Sequence, residues 1–344
     1  MRRSVVLALA VPLLVFLSLA VRQPRRVARR PVAGIVFVGQ RFAQVTFGRR
    51  LQTLLKGDAF DRLESIADSL ARHDVRTPDG ISMLLVFYEQ GFRTVNDDRS
   101  PELWEEHLAR LRQWCEARPY SPVARCALAE GLYGRGHTAR GNGWAKNVSP
   151  SQWRRYASDL DEAAHILEQV PAADRDLEWH SAMMRTLWGL GEGERYRALA
   201  AEAFARFREP RLYLSMGTFL LPRWHGEPGD WQAFAERPPA LPDSLRDEYY
   251  ARIVLTVADV CTDLVAEEGP VDWPRARRGL DDWQRRWPAS TEPRQGRALL
   301  AWMVDDRAVG RASFAALGDS CDIEVWATPG RFQAGRAWVA GAPN

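Results

Sequence analysis

An all-α array of stacked helical hairpins, running from about Gly57 to the C-terminus, is the fold class this sequence predicts. Three observations lead to it. Apolar side chains recur at spacings of three and four along nearly the whole span, Ser-Pro pairs open successive stripes, and long alternating or β-branched runs are missing between them.

Phe60, Leu63, Ala67 and Leu70 give the first stripe, and a second helix is expected over Ile81 to Phe92. Trp104, Leu108, Leu111 and Cys115 follow behind Ser100 as N-cap and Pro101 at the first helical position. The same opening recurs at Ser121-Pro122 and Ser149-Pro150. The second of these leads into Trp153, Tyr156, Leu160, Ala163 and Leu167. The rhythm continues with Tyr196, Leu199, Ala203 and Phe207. It resumes with Tyr250, Val254, Val257, Cys261 and Leu264, and ends on Ala276, Leu280, Trp283 and Trp287. Short Pro- or Gly-bearing turns make neighbours antiparallel. Helix pairs recur at roughly 35 to 50 residues, the period of helical solenoids. The expected organisation is a repeat region over 57–240 and further helical hairpins over 241–344. Residues 32–56 read as a linker or a short packed segment, and the mixed apolar stretch Pro31 to Gly48 as a short hairpin or a packed linker.

Ahead of the array, Ser4 to Val21 is an 18-residue apolar run behind Arg2 and Arg3. As a helix it reaches about 27 Å, enough for a bilayer core. Two readings stay open for residues 1–31. A cleaved signal peptide would use Ser18-Leu19-Ala20. An uncleaved anchor accounts for the arginines of RQPRRVARR that follow. Either way a membrane is met through residues 4–21, on a side the charges leave open.

The chain carries +3, with 47 basic against 44 acidic residues. Seven of the basic residues precede position 31, and the first acidic one is Asp58. Without that flank the balance is 40 against 44, a net of −4, so the basic surface of a general nucleic-acid binder is lacking. DNA and RNA are not expected partners. The four cysteines form no CxxC or Cys/His cluster, so neither zinc nor another cofactor is expected. Cys115 and Cys126 flank a turn, where they form either a disulfide or two small buried hydrophobes.

Ser181 to Pro210 resembles a tetratricopeptide repeat through Leu187-Trp188-Gly189, Tyr196, Ala200-Ala201 and Ala203 before a terminal proline. More broadly, four segments are similar to an uncharacterised bacterial family of tetratricopeptide-like helical proteins. They are GDAFDRLESIADSL, YSPVARCALAEGL, Ala139-Arg140-Gly141-Asn142-Gly143 and LLPRWHGEPGDW at Leu220 to Trp231. The resemblance covers about residues 45 to 240 and implies a helical-repeat fold without implying an activity. With the apolar run, it implies a single N-terminal anchor in a bacterial inner membrane.

Two turns stand out as candidate binding sites. In the first, glycines beside Arg140 and Trp144 either bring backbone N–H groups to a ligand that Arg140 pairs with, or close a helix and fold Trp144 onto the core. In the second, Arg223, Trp224, His225, Asp230 and Trp231 place a cation, an imidazole, a carboxylate and two indoles within nine residues. They form either a polar-ligand pocket or a rigid turn with Arg223 and Asp230 ion-paired. Glu130, His107, His137 and His180 make an acid/base set on paper, and nothing in their spacing assembles them. The leading functional expectation is a membrane-tethered scaffold that binds protein or peptide. The alternative is a cell-envelope glycan-cleaving enzyme using Glu130 as the acid.

Overall fold

The computed structural model describes residues 35–95, 100–141, 145–261 and 263–341. The apolar run at 4–21 lies outside the described residues. Among the described ones, no helix is long and apolar enough to cross a membrane.

The fold is all-α: among the described residues, 17 helices pack as sequential antiparallel pairs. Strand β1 (Val36–Val38) leads into α1 (Arg41–Lys56), α2 (Phe60–Arg72), α3 (Met83–Gly91), α4 (Pro101–Ala117), α5 (Pro122–Arg140), α6 (Pro150–Glu168), α7 (Leu177–Leu190) and α8 (Gly193–Arg206). Then come α9 (Pro210–Phe219), α10 (Asp230–Glu236), α11 (Asp243–Val260), α12 (Leu264–Glu268), α13 (Trp273–Arg286), α14 (Glu292–Met303) and α15 (Arg307–Leu317). Strand β2 (Ser320–Asp322), α16 (Ile323–Trp326) and α17 (Pro329–Val339) complete the chain.

Helices of two kinds alternate. In α2, α4, α6, α8 and α13 one apolar stripe is buried and the rest faces water. In α3, α5, α7, α9, α11 and α14 burial extends around most of the helix, because each is flanked by helices on several sides. The expected caps form. Ser100 accepts from Leu103 N at 3.2 Å, Ser121 from Ala124 N at 3.1 Å, and Ser149 closes a capping box with Gln152.

Three details differ from the sequence expectation. The stretch 32–56 is not a plain linker: α1 extends the helical array back to Arg41, burying Leu51 and Leu55 against α3. Gly48 permits that approach, since a Cβ there would sit 2.4 Å from the Gln90 carbonyl oxygen. In α8 the buried stripe is Tyr196, Ala200, Ala203 and Phe204, while Leu199 and Phe207 are only half-buried. Alanines on both sides of this helix leave its rotational phase ambiguous from sequence. The Tyr250-to-Leu264 stripe is two helices, α11 ending at Val260 and Asp263 capping α12.

Both ends of the array are joined. β1 pairs in parallel with β2, Val36 opposite Ser320 and Val38 opposite Asp322. A buried loop between α2 and α3 gathers four distant elements. The Asp79 carbonyl accepts from Arg252 Nη2 at 2.6 Å and Trp283 Nε1 at 3.3 Å, and Asp79 Oδ1 accepts from Ser290 Oγ at 2.6 Å. The Glu209 carboxylate, at the N-cap of α9, accepts from Arg76 Nη1 at 2.6 Å and Ser82 N at 3.2 Å. Gly80 turns this loop at φ +86, against the Trp287 indole.

A methyl group at position 80 would lie 2.5 Å from Trp287 Cε2 and force an L-residue into the left-handed region. Gly80→Ala is therefore expected to destabilise the protein by about 3 kcal/mol. The shift of the urea unfolding midpoint at unchanged m-value measures it.

Candidate functional site

The two turns singled out in the sequence lie in different places. Arg140 is the last residue of α5, almost fully buried, with its guanidinium 5.0 Å from the Trp153 ring and Nη1 donating to the Gly141 carbonyl at 2.7 Å. Gly141 ends the helix at φ +74, as a C-terminal glycine does. Trp144 lies outside the described residues.

The turn after α9 brings Arg223, Trp224, His225 and Trp231 together, although the expected Arg223–Asp230 pair does not form. Arg223 Nη2 instead reaches Glu267 at 2.8 Å and Glu268 at 3.2 Å, while Nη1 donates to the Val260 carbonyl at 2.9 Å. Asp230 caps its own turn, accepting from Glu227 N at 2.9 Å. Short range decides between these partners: the Glu227 amide, three residues back, engages Asp230 while Arg223 turns to the glutamates of α12. Trp231 Nε1 donates to Glu268 at 3.2 Å, His225 stacks on Phe219 at 4.5 Å, and Trp224 meets Trp188 edge-on at 6.0 Å. Burial, with Arg197 nearby, lowers the His225 pKa. The turn thus ties α9, α10 and α12 together.

The acid/base residues are also dispersed. His107 Nε2 faces the Phe92 carbonyl at 2.8 Å, and burial brings its pKa down to about 4. His137 is likewise lowered to about 4, by burial first and then by Arg140 and Arg93. His180 bridges the Asp176 carbonyl at 2.7 Å and Glu202 at 3.0 Å. Cys115 and Cys126 hold free thiols, raised by burial.

A cluster of buried charge forms around Glu130, which its sequence neighbours do not reveal. Glu130 on α5 accepts from Arg93 Nε through one oxygen and from Arg185 Nη2 through the other. Burial alone would raise its pKa, but Arg185 and Arg93 overcome that and hold it at about 2. Arg185 also donates to Ser181 Oγ at 2.6 Å and to Glu178 at 3.2 Å. Burial, reinforced by the Glu130 charge, drives the Glu178 carboxyl well upward and favours its neutral form. Next to them Arg211, in the first turn of α9, pairs through Nη1 with Glu89 of α3. The three arginines, with Ser181, Met184, Leu212 and Ser215, surround a narrow space of about 10 Å³, room for about one water. The sequence signal for this site is a charge inside an otherwise apolar helix, as in the SAMMRTLWGL of α7. Helical periodicity alone files such a residue under core. Among the described residues, no group of His, Cys, Asp and Glu is arranged to hold a metal ion.

Compared with known proteins, the chain matches no family model, no curated protein and no solved structure.

Replacing Glu130 by Gln removes the charge facing two buried guanidiniums and is expected to cost about 3–5 kcal/mol. Because the folded-state pKa is depressed, Glu130 stabilises above the ordinary carboxylate pKa, and this is lost as pH falls through the folded value. The difference in unfolding free energy between wild type and Glu130→Gln should therefore be constant above about pH 5 and shrink between pH 4.5 and 2. A pH series of urea melts measures it; a difference unchanged down to pH 2 would contradict the ion-pair account.

Proposed function

We propose that this chain is a membrane-tethered interaction scaffold, a degenerate tetratricopeptide-like helical array that binds a peptide segment of a partner protein. The observation that carries the reading is the packing of the helices as sequential antiparallel pairs, the arrangement from which helical repeat arrays build surfaces for extended partner segments.

The tether is supported by what surrounds the start of the described chain. Val36, Phe37 and Phe42 are 59%, 47% and 84% exposed, three of the six large apolar side chains left in water among the described residues. They follow directly on the apolar run and its arginine flank, a placement that suits aromatic side chains resting at a bilayer interface. The glycan-cleaving alternative is not favoured by its named acid. Two guanidiniums hold Glu130 ionised, whereas a general acid needs a raised pKa and an available proton.

Full-length protein is expected to stay with membranes through alkaline carbonate extraction, and a version lacking residues 1–31 to be released. The released version, used as bait on envelope extracts, should retain a discrete partner saturably. Release of the full-length chain by carbonate would remove the tether from the proposal. Turnover of isolated glycan strands by the purified domain, abolished in Glu130→Gln, would replace the scaffold with the enzyme.

A further inference from the structure

Helix α1 buries one face and leaves the opposite one uncovered. Gly48, Leu51 and Leu55 lie on its inner side, against α3. At 3.6 residues per turn, Phe42, Arg49, Thr53 and Lys56 fall within about 60° of one another on the outer side, with Ala43 and Arg50 beside them. All of these are exposed. Thr53 satisfies its own hydroxyl by donating to the Arg49 carbonyl at 2.9 Å, so what the face offers is positive charge and one aromatic ring. It carries no carboxylate, since the chain has no acidic residue before Asp58. Among the described residues, Arg49 and Arg50 form no ion pair, and Lys56 reaches Glu106 only at 4.0 Å with both side chains more than half exposed. The neighbouring helices differ: α2 exposes Asp61 and Asp68, and α4 exposes Glu102, Glu105 and Glu106.

The place of this face in the chain decides what covers it. Residues 22–34 are the whole connection between the apolar run and Ile35, and thirteen residues span at most about 45 Å. With the run in a bilayer, α1 stays within that distance of the headgroups, so its effective concentration at the lipid surface is high. Guanidinium groups match phosphate oxygens, and an aromatic ring is at home where headgroups meet acyl chains. Phe42, at 84% exposed, sits one turn into the helix, just after the exposed Val36 and Phe37.

We propose that the outer face of α1 docks on an anionic lipid surface, with Arg49, Arg50 and Lys56 against phosphate headgroups and Phe42 inserted between them. The proposal rests on the tether of the preceding reading and adds the lipid class and the face that the domain turns to the membrane. Phe42 supplies a contact that any bilayer offers, and the cations supply the preference for anionic lipid. Each cation at such a surface strengthens binding about fivefold. Salt screens the attraction within about 8–10 Å, so it acts when α1 lies against the headgroups and not across the full reach of the connection.

The test places the full chain in lipid discs of phosphatidylcholine alone, or of phosphatidylcholine and phosphatidylglycerol in equal parts. The substitution Phe42→p-benzoylphenylalanine puts a photoreactive ring on the face, and mass spectrometry identifies what it captures on irradiation. Lipid should be the main product, formed at least about fivefold more in the phosphatidylglycerol discs, the scale of one cation at an anionic surface. Arg49→Glu combined with Arg50→Glu should remove that gain and leave the urea midpoint near that of wild type, because both side chains are exposed. Tyr120→p-benzoylphenylalanine, at a site 88% exposed on the turn between α4 and α5, should capture little lipid in either disc. Capture of residues 1–34 or of a second copy as the main product at position 42 overturns the proposal. So does equal lipid capture in the two discs, a gain that survives the double substitution, or capture at position 120 matching that at 42. A chain that withstands carbonate extraction yet captures no lipid at position 42 sinks the docking face and leaves the tether. Capture in phosphatidylglycerol discs by a chain that carbonate releases does the reverse.

Discussion

The loop from Arg76 to Ser82 is the constraint on which the rest of the molecule depends. Thr77, Asp79, Gly80 and Ser82 are buried in it, so their polar groups must find protein partners. Some are local, such as the Ile81 carbonyl that accepts from Thr77 N. Others come from far along the chain: Arg252 of α11 and Trp283 of α13 on the Asp79 carbonyl, Ser290 before α14 on the Asp79 carboxylate, and Glu209 at the cap of α9 on Ser82 N. A run of hairpins touching only their neighbours would have two free ends. Here the loop and the β1–β2 pair give the first hairpin direct contacts with the last ones, and one continuous apolar cluster runs from Leu51 to Phe332.

Buried charge is the second organising feature, and it follows from the first. Helices surrounded on several sides have no solvated face on which to place polar residues, so those they carry must be paired inside. Arg135 meets Asp159 through two bonds at 3.1 and 2.7 Å, Arg252 meets Glu248 at 2.9 Å and lies 3.8 Å above the Trp283 ring, and Glu130 joins Arg93 to Arg185. Such pairs contribute little net stability compared with a well-packed apolar core, yet breaking one leaves an uncompensated charge. They act as registration pins between helices that would otherwise present interchangeable alanines and leucines.

Much of the fold was legible in the sequence because it is local. The stripe Tyr156, Leu160, Ala163 and Leu167 and the Ser100, Ser121 and Ser149 caps depend on residues three or four apart, and each is found as expected. Helix α1 was not legible, since its buried residues Leu51 and Leu55 are preceded by the β-branched Val45 and Thr46, which favour strand on propensity alone. The arginine cluster was harder still. Arg93, Glu130, Arg185 and Arg211 are 37 to 55 residues apart in the recorded pairs, or over 100 from Arg211 to Glu89, and only tertiary packing joins them. The turn at Arg223 to Trp231 lay between: its members do gather, but Arg223 chose Glu267 and Glu268 on a helix that no short-range rule connects to it.

Residue-resolved native-state hydrogen exchange in low urea tests the joined-ends account most directly. If the buried loop couples the two ends, the slow amides of α1 and α3 will open at the same free energy and with the same urea dependence as those of α11 and α14, as one cooperative unit. Should α1 to α4 exchange through a separate, lower-energy opening while α11 to α14 stay protected, the ends behave as independent neighbours in an open array, and the role assigned to the loop is wrong.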